Sequence, residues 1–328
     1  MLDSTLAACP VKSLSMKVLL LLTNRLHLAY LGCYGNQWLS TPAIDRMAAE
    51  GIVFDNHFVD RSSTMSAFPS AIFRKRGINQ AILATDQKPD EAWIERCIRE
   101  LAGSENCLLR VEPVLQAFSA ADEDLFEPED SEFDFATEEW AHASVVAHFD
   151  SWLGRLWDGL NRSEMLNEIV FCFTATWGQA LYNSTRELSE ETIHLPLIFR
   201  MPGGAQAGRR IPALTQTIDL QATFLELFDL PATDGQGRSL LPLIRGQCDS
   251  VRSYAVAECA PELAIRSKEW ALYCNDSAGS TNSPRLYAKP GDRWEVHNVA
   301  GQHIELVDEL ERTLKAMVET PGLPDSTR

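Results

Sequence analysis

The chain has 328 residues, 45% hydrophobic and 23% charged, which is enough to bury a large core and excludes wholesale disorder. Its formal net charge of -17 excludes nucleic acid and an anionic membrane surface as main partners, because both require a basic face. Much of that charge is local: Val111 to Gly154 contains no Lys or Arg, while Asp122 to Glu139 holds ten carboxylates, a run that reads as a solvated loop.

Residues 1–15 read as a polar extension, with the fold beginning at Met16. The apolar run Val18–Leu22 follows Lys17. It is shorter than the roughly seven to fifteen residues of a leader's apolar region, and no small-residue cleavage site follows. It reads instead as a strand buried on both faces. Thr41 to Gly51 reads as a short helix, with Thr41 as N-cap, Pro42 in the first turn and Gly51 as the stop. Asn79–Thr85 and Cys107–Val111 read as strands around a helix over Glu91–Leu101. Glu138–Leu160 reads as a long amphipathic helix with Trp140, Val145, His148, Trp152 and Leu156 on one side. Strands at Ile169–Thr174 and Leu195–Arg200 precede a helix over Asp219–Phe228.

This alternation indicates an α/β fold with a central mixed, largely parallel sheet flanked by helices over 16–250. Beyond residue 250 the pattern changes. Tyr254–Glu258, Leu263–Arg266, Trp270–Tyr273 and Arg285–Ala288 read as short strands, with a polar loop over 275–284. A small C-terminal antiparallel sheet closed by a helix over Ile304–Met317 is expected for 251–320, with a tail over 321–328. The eight cysteines are scattered without a CxxC pair, which argues against zinc-ribbon and thioredoxin chemistry and for buried free thiols in a reducing compartment. No run approaches the roughly 18 to 20 apolar residues of a membrane span, and the expected location is cytoplasmic.

Four stretches in order carry a family resemblance: Leu31-Gly-Cys-Tyr-Gly35 with Thr41-Pro and Asp45 to Phe54; Phe173-Thr-Ala-Thr-Trp-Gly178; His194 to Gly203 with Thr217 to Leu227; and Gly237 to Gly246 with Leu286-Tyr287 and Asp292 to Ala300. Together they resemble the sulfatase family of the alkaline-phosphatase superfamily. The resemblance implies a cysteine-derived nucleophile and a calcium or magnesium ion held by acidic residues at the ends of two strands. A hard cation of this kind wants several oxygen ligands, and a sulfate transition state wants fixed positive charge.

The resemblance places the family's paired aspartates at Asn24 and Arg25, and its later Asp-His pair at Thr176 and Trp177. Asn24 offers one carbonyl oxygen, whereas Arg25 offers no acceptor and a permanent positive charge. The nucleophile position falls on Ala67 in an alignment through Pro69-Ser70, or on Thr64 when spaced from Phe54 and Asn56. Arg186 is the nearest basic residue for the leaving group. Arg25 reads either as a seat for a sulfate-like anion or, more simply, as half of a salt bridge. Trp177 reads as a pocket plug, and His27, His57 and His194 as structural. Ser66 and Ser70 read as turn residues, Asp45 and Asp219 as first-turn or capping groups.

The expected function is therefore a sulfatase-like pseudoenzyme or anion- or partner-binding module that has lost metal-dependent sulfuric ester hydrolysis. The alternative is an active sulfatase or related phospho- or sulfo-ester hydrolase with relocated ligands, for which Asp55, Asp60 and Asp86 are the available carboxylates. No cofactor is expected, except calcium or magnesium if the family site persists in altered form. The expected ligand class is a small oxyanion or a sulfated molecule.

Overall fold

The computed structural model describes residues 15–60, 73, 77–119, 137–181, 187–232, 235, 237–275 and 283–319. Its strands are β1 (Lys17–Thr23), β2 (Ile52–Phe58), β3 (Asn79–Thr85), β4 (Cys107–Pro113), β5 (Ile169–Ala175), β6 (His194–Arg200), β7 (Arg209–Gln216), β8 (Ala255–Cys259), β9 (Glu262–Arg266), β10 (Trp270–Asn275) and β11 (Arg285–Ala288). The α-helices used below are α1 (Pro42–Ala49), α2 (Glu91–Ala102), α3 (Thr137–Arg162), α4 (Glu190–Ile193), α5 (Thr217–Leu227), α6 (Leu241–Ile244) and α7 (Ile304–Glu319).

The large sheet runs β3-β4-β1-β5-β6-β2-β7, and the small one β11-β10-β9-β8. Only β6 runs against its neighbours β5 and β2; the other pairings of the large sheet are parallel. The central strand β1 is buried on both faces. Leu19 and Leu21 join one core with residues of α1, α2 and α3, while Val18, Leu20 and Leu22 join a second with residues of α5 and α6. This two-faced burial is why the strand reads as a continuous apolar run rather than an alternating one. The small sheet turns Leu263, Ile265, Leu272 and Leu286 toward Val307, Leu310 and Leu314 of α7. Its other face returns Ala257, Tyr273 and Tyr287 to the first core.

Three local expectations are corrected. Thr41 sits at the N-cap position of α1 but makes no side-chain cap bond; its hydroxyl accepts from Gly32 N at 2.9 Å. The orphan amides are met from α3, where the Asp150 carboxylate accepts from Ala43 N at 3.1 Å and Ile44 N at 2.8 Å. The fully buried stripe of α3 is Ala143, Val146, Phe149, Leu153, Leu156, Trp157 and Leu160, with Trp152 beside it, whereas Trp140 and Val145 are only half-buried. Two strands also went unread. β2 continues straight from the α1 segment, and β7 carries Pro212, which is tolerated because β7 is an edge strand. The N-terminal extension, the C-terminal tail and nearly all of the acidic run 122–139 lie outside the described residues.

Candidate functional site

In a parallel sheet the carboxyl ends of adjacent strands form a crevice. β1 and β5 pair in parallel with Thr23 opposite Ala175, so the residues just beyond them leave the sheet together. Thr176 N donates to Thr23 O at 2.8 Å, and Leu26 N donates to Trp177 O at 3.3 Å. The structure thus brings Asn24, Arg25, Thr176 and Trp177 to one edge. Gly178 follows because a Cβ there would lie 1.9 Å from Glu191 O, and its amide donates to Thr192 O at 2.8 Å. The glycine lets α4 close over this edge.

The side chains at this edge have defined engagements. Asn24 Oδ1 accepts from Leu115 N at 2.7 Å, and its Nδ2 donates to Gln116 Oε1 at 3.1 Å. Both ends of the amide therefore fasten the segment after β4. Arg25 is exposed and holds a positive φ of 49°, an uncommon conformation for a residue with a Cβ. It finds no ion-pair partner among the described residues, so the salt-bridge reading gains no support there. Trp177 is half-buried and packs against the first core. Thr64, Ser66, Ala67, Ser70 and Arg186 lie outside the described residues.

The chemistry of these donors does not suit calcium or magnesium. Residues 23–27 and 175–179 contain no carboxylate, tryptophan has no acceptor, and the guanidinium repels a cation. The alternative carboxylates are not gathered here. Asp55 pairs with Arg210, and Asp60 accepts from Thr217 Oγ1 beyond the end of β2. Asp86 follows β3 at the far edge of the sheet. Among the described residues, no group of three or more His, Cys, Asp or Glu is placed to share a metal ion.

The histidines are wired into the fold. His27 is fully buried; its Nδ1 accepts from Ala29 N at 3.1 Å, and its own amide donates to His142 Nε2 at 3.3 Å. Burial first, then His142 and Arg293, pull the His27 imidazole down to about 3; burial pulls His142 down to about 4. His57 lies 3.0 Å from Thr215 Oγ1 and is lowered to about 3, first by burial and then by His194 and Arg252. These three rings are neutral in the fold at pH 7. His194 places Nδ1 2.7 Å from Glu190 Oε1 and Nε2 2.8 Å from Asp55 O.

Sequence reading missed a buried charged network behind α4. Lys289 Nζ reaches Glu190 Oε2 at 3.0 Å and Glu295 Oε1 at 3.3 Å, and Tyr273 OH donates to Glu295 Oε1 at 2.5 Å. Burial would raise the Glu190 carboxyl, but the charge and hydrogen bond of His194, then Lys289 and Arg266, outweigh it and hold it well below the carboxylate range. These residues come from segments a hundred positions apart, so no local spacing signals them. Asp45 and Asp219 do hold first-turn positions. Asp45 Oδ1 accepts from Cys33 N at 2.6 Å, and Asp219 accepts from Gln216 N and Arg238 N, both at 2.8 Å, and pairs with Arg252.

Residues 178–320 match the family model described as N-sulphoglucosamine sulphohydrolase, C-terminal. Arylsulfatase K of Danio rerio is 27% identical over 198 residues, covering 56% of this chain and 38% of that protein. The motifs before residue 178 extend the same likeness toward the N-terminus. These likenesses support a sulfatase-family member of the alkaline-phosphatase superfamily. The sulfatase fold is matched by a solved 2-O GAG sulfatase, with a TM-score of 0.71 at 16% identity over 96% of this chain and 98% of that one. It is matched also by the phosphonate monoester hydrolase of Agrobacterium radiobacter, with a TM-score of 0.69 at 14% identity over 93% and 95% of the two chains. The matched segment spans less than two-fifths of the length of the curated sulfatase relative.

Proposed function

We propose that this sulfatase-family protein no longer hydrolyses sulfate esters by the family's metal-dependent route, and that its strand-end crevice serves to bind an oxyanion or a sulfated partner. The observation that carries this reading is Arg25. It stands with Thr176 and Trp177 at the carboxyl ends of β1 and β5, the positions where the family resemblance implies anionic cation ligands. Replacing a carboxylate by a guanidinium reverses the charge the crevice offers. It turns a cation seat into one suited to tetrahedral oxyanions. The Asn24 amide, already bonded at both ends, acts as a structural strut between β1 and the segment after β4. We also propose a reducing compartment, since the described cysteines are free thiols and burial pushes those of Cys33 and Cys97 up to about 12.

Turnover of 4-nitrophenyl sulfate and 4-nitrophenyl phosphate by the purified chain tests this reading, with added calcium, added magnesium or chelator. The expected result is no turnover above buffer in any condition. Turnover that requires the metal and is abolished by chelator would support the relocated-ligand hydrolase instead.

A further inference from the structure

A separate cleft of about 260 Å³ opens between β2, β7 and the small sheet, lined among others by Asp55, Glu190, Arg210, Arg266, Lys289 and Arg293. It shares no lining residue with the Arg25 crevice. Its cations are unequally matched. Arg210 is paired with Asp55, and Lys289 with Glu190 and Glu295. Neither Arg266 nor Arg293 has a carboxylate within ion-pair distance among the described residues.

Arg266 is nevertheless taken from water, and Arg293 is half-buried. Arg266 is only 5% exposed. Its guanidinium lies 5.5 Å over the Phe58 ring and donates to Ser267 O, yet its Nε has no hydrogen-bond partner. Arg293 Nη1 donates to Tyr34 O at 3.3 Å, and the group stacks 4.7 Å from the Trp294 ring. Carbonyls and ring faces satisfy some of the five N–H groups of each arginine but do not neutralise its charge. Glu190 and Asp55 act on these charges only from beyond ion-pair distance, so neither guanidinium has a contacting counter-ion, and the cleft is set to gain from a bound anion. Burial also draws Arg293 below its ordinary range, with Glu190, Tyr34 and Asp55 opposing.

We propose that this cleft is a second ligand site, taking a tetrahedral oxyanion, sulfate or phosphate, between Arg266 and Arg293. Two planar forks bind such an anion through paired N–H···O bonds. The volume falls below the roughly 300–1,000 Å³ of pockets that enclose whole organic ligands. The site therefore takes the oxyanion head, with any organic remainder outside.

Calorimetric titration of the full chain with inorganic sulfate, inorganic phosphate and 4-nitrophenyl sulfate tests the proposal. Saturable binding is expected to persist in Arg25→Gln, which silences the strand-end crevice, and in that background to be weakened at least tenfold by Arg293→Gln and less by Arg293→Lys. Equal binding of the ester and the inorganic ion identifies an ester head as the ligand; binding of the inorganic ions alone identifies a free ion. Either result supports the site. Absence of saturable binding in the parent chain overturns it, as does binding in the Arg25→Gln background that survives Arg293→Gln in a protein with unchanged circular dichroism. Binding abolished by Arg25→Gln assigns the anion to the strand-end crevice and overturns it too. Should Arg266→Gln fail to fold, the Arg293 pair still decides.

Discussion

At the scale of single residues, the crevice is held by contacts that leave little room for change. Gly178 admits no side chain, because a Cβ would sit 1.9 Å from the Glu191 carbonyl. Gly178→Ala must push α4 away from the edge, and overpacking of this kind costs about 1–3 kcal/mol. Urea denaturation should show that loss, and an unchanged midpoint would contradict the close approach. Asp150 is a second such residue. Its carboxylate caps α1 from another helix, so Asp150→Ala should cost about 1–2 kcal/mol, whereas Thr41→Val should not remove a side-chain cap. Of the crevice positions, Asn24, Arg25, Thr176 and Trp177 were reachable from sequence because each lies a fixed step beyond a strand and next to a motif. Asp150 was not, since a cap delivered across a hundred residues leaves no local spacing.

At the scale of elements, burial explains both what the sequence reveals and what it hides. β1 is central and enclosed, with Leu20 fully buried, and five consecutive apolar residues announce it. Leu20→Ala should cost about 2–5 kcal/mol. β3 is an edge strand whose Ile82 remains 57% exposed, so Ile82→Thr should stay within about 0.5 kcal/mol of the parent. Equal losses in chemical denaturation would contradict the strand order. β7 illustrates the opposite case. Its proline and paired arginines weaken the strand signal, and it exists because β2 supplies its ladder. The long helix α3 was legible as a helix, but its buried stripe was misjudged by a fraction of a turn. Trp140 is aromatic without being core, since it stands near the helix start beside Trp38.

At the scale of the whole molecule, the neutral buried histidines tie stability to pH. His27, His57 and His142 are held at about 3, 3 and 4 in the fold, against about 6.5 when free. A depressed folded value means that the unfolded chain binds the proton first. The stabilisation is present above pH 6.5 and is lost as pH falls toward 3 to 4. Each group contributes on the order of 1 kcal/mol per pH unit in that window. Asp150, raised to about 6 mainly by burial, works the other way between about 4 and 6, and Asp219 and Glu295, also raised mainly by burial, act in its direction. The three histidines titrate first as pH falls from 7, and Glu190, held low, acts with them. Thermal melts should therefore show Tm falling from pH 7 to pH 5, and a flat or rising Tm would contradict this.

The same scale holds the account's main contrast. The scaffold of the family runs from the first strand to the closing helix, and the large and small sheets match the architecture its motifs implied. The scaffold was legible because apolar runs, turns and glycines report on packing, which every member of a fold must solve. The chemistry of the crevice was legible only as four substitutions, and the charged cleft behind α4 was not legible at all. The most direct test of the central claim is the metal content of the full chain after equilibration with calcium and magnesium, read by elemental mass spectrometry. With Arg25 at the ligand edge, the account predicts no stoichiometric metal, and Arg25→Asp should not lower what little is retained. One equivalent of calcium or magnesium per chain, resistant to desalting, would contradict it.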